Sequence, residues 1–246
     1  MHALWMQCKV EFLKTFRNRM FLFFSLFMPI MFYYIFTNLV NRDLPFREEW
    51  EAHYLMSMAL FSLISSSVCS LGITFVYENK LGWSKMIRLT PLKEAFYFLA
   101  KMMAQLLINL VSVILIFLFG YVVNDVQLSI SQWVMCMVWL VLASIPFMAL
   151  GAIVGSLNKV ETATALSNIL LFGLAIVGGL WMPVSQFPEL LQQISKWLPS
   201  YRAGEGAWNL INGQSISWET IVILMVYFVV FMILSVYIRR KRQEPV

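Results

Sequence analysis

The stretch YENKLGWSKMIRLTPLKEAFYFLAK, residues 77–101, joins two long hydrophobic runs at 54–77 and 95–123. Each run exceeds the ~20 mainly apolar residues that a helix needs to cross a bilayer. The stretch between the two runs is too short to form a domain and too basic to lie within lipid. The sequence therefore predicts two membrane helices with a short charged connection outside the bilayer.

The remainder of the chain repeats this pattern of long apolar runs. Its 246 residues are 60% hydrophobic and 13% charged, whereas soluble domains carry about 25% charged residues. Strand-like alternation is absent, so helices are expected to satisfy the backbone in lipid. The predicted fold is an all-α integral membrane protein, a single transmembrane domain at 1–246 with six spans at 20–39, 54–77, 95–123, 133–155, 163–182 and 220–238.

The distribution of basic residues predicts the orientation. If both termini, the 77–101 connection and the 156–162 loop share one side, that side holds 14 of the 18 Lys and Arg residues. By the positive-inside rule that side is the cytoplasm. We therefore expect a multi-pass protein of the cell membrane with cytoplasmic N- and C-termini. A basic face on a soluble surface is missing, which argues against nucleic-acid binding.

Two further segments lie outside the predicted spans. Residues 1–18 place apolar and polar side chains on opposite helical faces, which predicts an amphipathic helix at the lipid interface. Residues 183–219 form a long extracellular segment with three prolines, Pro183, Pro188 and Pro199. Its tryptophans and tyrosines favour the interface, and residues 187–198 predict a short re-entrant helix that dips into the membrane without crossing it.

The charged connection itself predicts a cytoplasmic helix at 78–91, starting near Tyr77 and running for about three turns. Glu78 stands at its beginning and basic residues toward its end, which suits the helix dipole, and Pro91 forces Thr90 out of the helical region. Its apolar residues are too many for a loop that faces only water. Two interpretations remain open: a helix lying flat on the inner leaflet, or a lever docked against a cytoplasmic partner.

Polar side chains recur along three spans at helical spacing. Hydroxyls follow every fourth position of the second span, and a second face on the third span carries Lys101, Gln105, Asn109 and Ser112. Such faces either pack helices together or line a substrate path or a subunit seam, and for the second span we favour the latter. The candidate residues are Ser62, Ser66, Ser70, Thr74, Asn109, Ser167 and Asn168.

The sequence lacks the residues that several kinds of chemistry require. The chain has no G-x-x-x-x-G-K-[ST] phosphate-binding loop, and neither His2 nor His53 has a partner at metal-ligand spacing. A lipid-modifying enzyme would need paired acids or an activated nucleophile at the interface. Lys101 is the only ionisable residue well inside a predicted span, and we expect it to snorkel toward water. Proton-coupled transport is therefore disfavoured, and energy for any transport must come from elsewhere.

This arrangement resembles the permease subunits of bacterial ABC-2 type transporters over nearly the whole chain. In the connection, Glu78, Lys80 and Gly82, then Leu89-Thr90-Pro91 and Lys101, fit the family pattern, whereas Asn79 and Trp83 depart from it. The stretch MPVSQFPELLQQISKWLPSYRAGEGAW, residues 182–208, is similar to the family's extracellular region before the last span.

The resemblance implies a division of labour. Two permeases, identical or different, would pair, and each would bind a separate ATP-binding subunit that holds ATP and magnesium, so this chain is expected to bind no cofactor and to catalyse nothing itself. Closure of the ATPases would push on the connection and drive alternating access, exporting an amphipathic substrate such as a drug, antimicrobial peptide or lipid-like molecule. The alternative is a non-transporting membrane scaffold or sensor subunit. The implied ATPase-coupling residues are Glu78, Lys80, Gly82, Trp83, Lys85, Arg88, Thr90 and Pro91.

Overall fold

The computed structural model describes residues 13, 23–40, 47–83, 86 and 94–243. The predicted amphipathic helix at 1–18 lies outside these residues, apart from Leu13, and so do Lys85, Arg88, Thr90 and Pro91. Every regular element in the described part of the chain is helical, which confirms the all-α prediction there. We name these helices α1 (Phe23–Phe27, Met28–Tyr34 and Ile35–Val40), α2 (Arg47–Ile64, Ser65–Ser70 and Leu71–Lys80), α3 (Glu94–Asn124), α4 (Ile130–Ala143 and Ile145–Val154), α5 (Val160–Val177), α6 (Glu189–Trp197), α7 (Pro199–Ile211) and α8 (Trp218–Gln243).

Five of these helices, α2, α3, α4, α5 and α8, are long and apolar enough to cross a membrane. The described part of α1, Ser25–Val40, is a shorter apolar helix. Helix α2 begins at Arg47 rather than near 54, because Glu48 and Glu49 favour a helix N-terminus and Arg47 bonds Glu51 one turn later. We refer below to the Arg47 end and the Glu78 end of the bundle.

Helix α2 forms the core of the bundle. It packs against α1, α3, α4, α5 and α7, and its central residues Leu55, Leu60 and Ile64 are fully buried. A helix covered by neighbours on all sides lies inside the bundle rather than at the rim. In contrast, few side chains of α5 and α8 are buried, as in helices at the edge of a lipid-embedded bundle.

Two glycines let α2 and α4 approach closely. A Cβ atom on Gly151 would lie 2.1 Å from the carbonyl oxygen of Ser67, and one on Gly72 would lie 3.0 Å from the carbonyl oxygen of Gly151. Small residues at such crossings allow backbone contact between membrane helices. The sequence alone does not predict this crossing, because a single glycine in an apolar run does not indicate which helix packs against it.

Two of the long helices are locally irregular. Helix α2 contains a π-helical turn at Ser65–Ser70, and such turns often mark functional sites. Helix α4 breaks at Ser144, two residues before Pro146. Proline lacks the N–H that would bond the carbonyl of Leu142, so the ladder is interrupted there. Both irregularities lie at mid-length of their helices.

Helices α6 and α7 form a hairpin that enters the bundle and returns. The hydroxyl of Tyr227 in α8 donates to the carbonyl of Trp197 (3.0 Å), and Trp139 Nε1 in α4 donates to the carbonyl of Ala203 (2.8 Å). Tyr227 and Trp139 each lie about 14 Å along their helices from the first residue. Gln132, near the start of α4, bonds the carbonyl of Ile211 at the end of α7. The helix predicted at 187–198 corresponds to α6, whereas α7, which Pro199 begins, was not predicted.

Candidate coupling site

The structure differs from the prediction at the N-terminal end of the charged connection. Helix α2 continues through Lys80, so Glu78 and Lys80 belong to the last turn of this long helix rather than to a separate one. The chain then turns at Leu81 and Gly82, where Gly82 has a φ of +73°, a conformation that glycine adopts without steric cost. The glycine therefore sets the point at which the chain leaves the bundle.

The residues after this point present an apolar surface. Leu81, Trp83 and Met86 are all exposed, and Lys80 beside them is exposed as well. Exposed large apolar side chains next to a basic group are typical of a site that a partner or a membrane surface covers. Four of the predicted coupling residues, Lys85, Arg88, Thr90 and Pro91, lie outside the described part of the chain.

Glu78 does not share this exposure. It is 5% exposed, and its carboxylate accepts from Lys101 Nζ (2.8 Å) and from the hydroxyl of Tyr97 (2.5 Å). Lys101, in α3, is 2% exposed, and its ammonium lies 5.3 Å from the centre of the Phe75 ring. We call Glu78, Tyr97 and Lys101 the ionic joint.

The ionic joint corrects one expectation from the sequence. Lys101 was expected to snorkel toward water, but it is buried and directed at Glu78 of the preceding helix. An isolated buried charge is expensive, and a partner of opposite charge with further hydrogen bonds offsets much of that cost. The pairing therefore explains how a lysine lies inside the bundle, and it directs Glu78 inward rather than toward a partner surface.

A second contact connects the end of α2 to the end of α4. The side-chain amide of Asn79 donates to the carbonyl of Gly155, just beyond α4 (3.3 Å). Consecutive residues Glu78 and Asn79 thus link the last turn of α2 to two different helices. A displacement of this turn would act on both α3 and the α4–α5 connection.

Polar side chains meet again at mid-length of the bundle. Asn109 of α3 accepts from Ser66 of α2 (2.9 Å) and donates to Ser67 of α2 (3.2 Å) and to Ser144 of α4 (2.9 Å). Gln105 donates to Asn109 (2.9 Å) and to Ser66. We call these five residues the amide cluster. All five are buried, and their hydrogen bonds join three helices.

The four hydroxyl residues predicted to share one face of α2 therefore have different environments. Ser62 faces α1 and donates to the carbonyl of Ser25 (2.6 Å), and Ser66 belongs to the amide cluster. Only Ser70 and Thr74 are partly exposed, and they line a small crevice between α2 and α3 with Lys101 and Gln105.

The structure adds Ser67 and Ser144 to the amide cluster, and neither is among the candidate site residues predicted from the sequence. Gln105 had been noted on the α3 face but not as a site residue. Two features of the sequence could have identified these residues. Gln105 lies between Lys101 and Asn109 at four-residue spacing on one helix face, and Ser144 lies two residues before Pro146.

The two candidates on α5 lie on different faces. Ser167 is buried, and its hydroxyl has no hydrogen-bond partner among the described residues. Asn168 is exposed, together with Ile169, Phe172 and Ile176 on the same face. An amide in the middle of an otherwise apolar exposed helix face is costly against lipid. Neither residue contributes to the amide cluster.

Chemistry beyond these contacts has few candidates in the described residues. No group of three or more His, Cys, Asp or Glu side chains there could hold a metal ion. Cys69 and Cys136 are free thiols. The polar side chains of the ionic joint and of the amide cluster are bonded to one another across helices.

Comparison with known proteins identifies the family of the chain. The family model described as ABC-2 family transporter protein matches residues 47–237. The chain is also 47% identical over 243 residues to the Bacillus subtilis (strain 168) protein named "Putative transport permease YvfS", covering 99% of each sequence. Both matches include the ionic joint, the amide cluster and the α6–α7 hairpin. The chain belongs to the ABC-2 family of transporter proteins.

Proposed function

We propose that this chain is the permease subunit of an ATP-driven exporter. The observation that carries the proposal is the exposed apolar surface of Leu81, Trp83 and Met86 at the Glu78 end, in a chain that belongs to a transporter family. The similarity to a protein named as a transport permease over 99% of both chains supports the transport role. ATP hydrolysis belongs to a separate subunit, since the sequence lacks a phosphate-binding loop.

The Glu78 end is the cytoplasmic end in this proposal, and the membrane is the cell membrane. The charge asymmetry supports it, because only Arg42, Arg47, Lys196 and Arg202 would lie outside. Both termini are then cytoplasmic, and the α6–α7 hairpin enters the membrane from the outer face.

The connection after Gly82 docks into the ATP-binding subunit. Trp83 and its apolar neighbours supply buried contact area, and Lys80, Lys85 and Arg88 supply positive charge around it. Thr90 and Pro91 end the docked segment. ATP and magnesium are bound by the partner, and closure of two such partners changes the bundle from inward- to outward-facing.

The permease works as a dimer, and the exposed face of α5 is its seam. Asn168 lies at mid-length of this face among Ile169, Phe172 and Ile176. If the two-fold axis passes beside Asn168, its amide meets the equivalent amide of the other copy, and hydrogen bonds across membrane helices stabilise such contacts. The substrate is amphipathic, since the partly exposed hydroxyls of Ser70 and Thr74 line a crevice beside apolar side chains.

The decisive experiment is recovery of the chain from membranes in mild detergent, followed by mass spectrometry. We expect a soluble protein with a phosphate-binding loop to be recovered with the wild-type chain and lost with Trp83→Glu. Lys196→Glu, an exposed change on α6 away from the connection, is the matched control and should retain the partner. Recovery of partners without any ATPase would overturn the proposal and favour a scaffold or sensor role.

The dimer is tested separately. Asn168→Leu should weaken association in a cross-linking assay, whereas Ile233→Leu on the exposed face of α8 should not. Equal dimer yields for the two variants would exclude α5 as the seam without affecting the ATPase partner.

A further inference from the structure

We infer that the ionic joint of Glu78, Tyr97 and Lys101 transmits movement of the docked connection to α3. This inference rests on the proposed function and assigns Glu78 and Lys101 as positioning residues rather than as contacts of the ATP-binding subunit. It differs from what the family pattern implied, which placed Glu78 at the partner surface.

The first argument is position. Glu78 lies four residues before Gly82, where the chain leaves the bundle, so a force on the docked connection reaches Glu78 within one helical turn. Lys101 and Tyr97 hold that carboxylate at 2.8 Å and 2.5 Å. Charge-assisted hydrogen bonds of this kind are stronger and more directional than apolar contacts.

The second argument is the path beyond the joint. Lys101, Gln105 and Asn109 follow at four-residue spacing on one face of α3, so they move together when the helix shifts. Asn109 is bonded to Ser66 and Ser67 of α2 and to Ser144 at the break in α4. A shift of α3 is thus delivered to the two irregular points of the neighbouring helices, the π-helical turn and the Ser144 break.

The third argument is that stability alone does not require the charges. Replacing a buried ion pair by apolar groups of similar size is often neutral or stabilising, whereas removing one partner is strongly destabilising. The two roles can therefore be separated by replacing both charges at once. A purely structural pair would tolerate the double replacement in every respect.

The test uses the complex of the chain with its co-purified ATP-binding partner, in lipid nanodiscs and on a cysteine-free background. Spin labels are placed at Met103 of α3 and Val236 of α8, which are both exposed. The distance between them is measured by pulsed electron resonance before and after trapping with ATP, magnesium and vanadate. The variants are Glu78→Gln, Lys101→Met and the double Glu78→Gln/Lys101→Met.

We expect each single variant to lower the yield of folded protein and the double variant to restore it, with the partner still bound. The shift in label distance on trapping should be lost in the double variant. The control Arg47→Gln/Glu51→Gln removes an ion pair at the opposite end and should retain the shift. A wild-type shift in the double variant would show that the pair is only structural and would overturn the inference.

Tyr97→Phe keeps the test decisive if the double variant folds poorly. It removes one hydrogen bond to Glu78 and no charge, and it should reduce the distance shift without loss of folded protein. An unchanged shift in Tyr97→Phe would overturn the inference. Failure of the wild-type chain to recover any ATP-binding partner would instead overturn the proposed function on which it rests.

Discussion

The two ends of the bundle are held together in different ways. At the Glu78 end, one buried ion pair links α2 to α3. At the Arg47 end, the Arg47–Glu51 pair lies within α2 itself, with the Arg47 side chain 40% exposed. The links between helices there are several: Arg47 donates to Asn38 of α1 (3.3 Å), Arg202 of α7 pairs with the exposed Glu219 of α8 (2.6 Å), and short neutral side chains add further bonds. Asn38 of α1 donates to Asn124 of α3 (2.8 Å), and Asn124 donates to Thr37 of α1 (2.9 Å).

This difference indicates where the molecule is sensitive to change. Neutral hydrogen bonds between membrane helices, and ion pairs with one exposed partner, contribute little individually, and several of them connect the helices at the Arg47 end. Among the described residues at the Glu78 end, both charges of the Glu78–Lys101 pair are buried, and separating them is expensive. We therefore expect the bundle to be less sensitive to single changes at the Arg47 end than at the end where the proposed partner acts.

The largest expected effect tests this contrast directly. Lys101→Met removes the ammonium that bonds the buried Glu78 carboxylate, and we expect a loss of about 3–5 kcal/mol in folding free energy. Glu51→Gln at the other end should cost about 0–1 kcal/mol, because its partner is partly exposed. Both are read from the temperature at which a fluorescent fusion of the protein leaves the monodisperse peak in detergent. Equal losses for the two variants would abolish the contrast.

A change between the two ends comes next in size. Gly151→Ala places a methyl group 2.1 Å from the backbone oxygen of Ser67, so α2 and α4 must separate, at a cost of about 1–3 kcal/mol. Gly173→Ala on α5 has no atom within 4 Å of the new methyl group and serves as the control. The same thermal assay applies, and a neutral Gly151→Ala would show that the helix crossing is looser than described.

Asn109→Leu sharpens the comparison at mid-length. It removes the amide that bonds Ser66, Ser67 and Ser144 and leaves their hydroxyls to rebond within their own helices. Since interhelical bonds in membranes contribute about 0.6 kcal/mol each on average, we expect a loss of about 1–2 kcal/mol. A double-mutant cycle with Ser144→Ala should show coupling between the two sites. Strict additivity would mean that the two side chains act independently.

The smallest effect is expected at the Arg47 end. Asn38→Ala removes the bond to Asn124 and a longer one from Arg47, whereas the Asn124 amide still donates to Thr37, so the loss should be about 0.6–1 kcal/mol. Asn38→Ala combined with Asn124→Ala should cost roughly twice that amount. A loss as large as that of Lys101→Met would place the sensitive contact at the wrong end of the bundle.

The sequence alone predicted the bounds of the long helices well, because hydropathy is a local property of the chain. The third span was expected at 95–123, and α3 runs Glu94–Asn124. The fifth was expected at 163–182, and α5 runs Val160–Val177, ending before Gly178-Gly179. The family membership was also evident from residues close together in the chain, from Glu78 to Lys101 and from 182 to 208, because motif and spacing are linear properties.

The partners of the polar residues were decided by the tertiary structure. Whether Lys101 meets water or Glu78 depends on how α2 and α3 rotate against each other, and the π-helical turn at Ser65–Ser70 alters that rotation in a way that a regular periodicity does not anticipate. For the same reason, the four hydroxyl residues on one face of α2 have different environments. Asn168 is exposed, whereas its neighbour Ser167 is buried. Hydropathy and spacing describe one helix at a time, whereas a hydrogen bond requires the relative position of two.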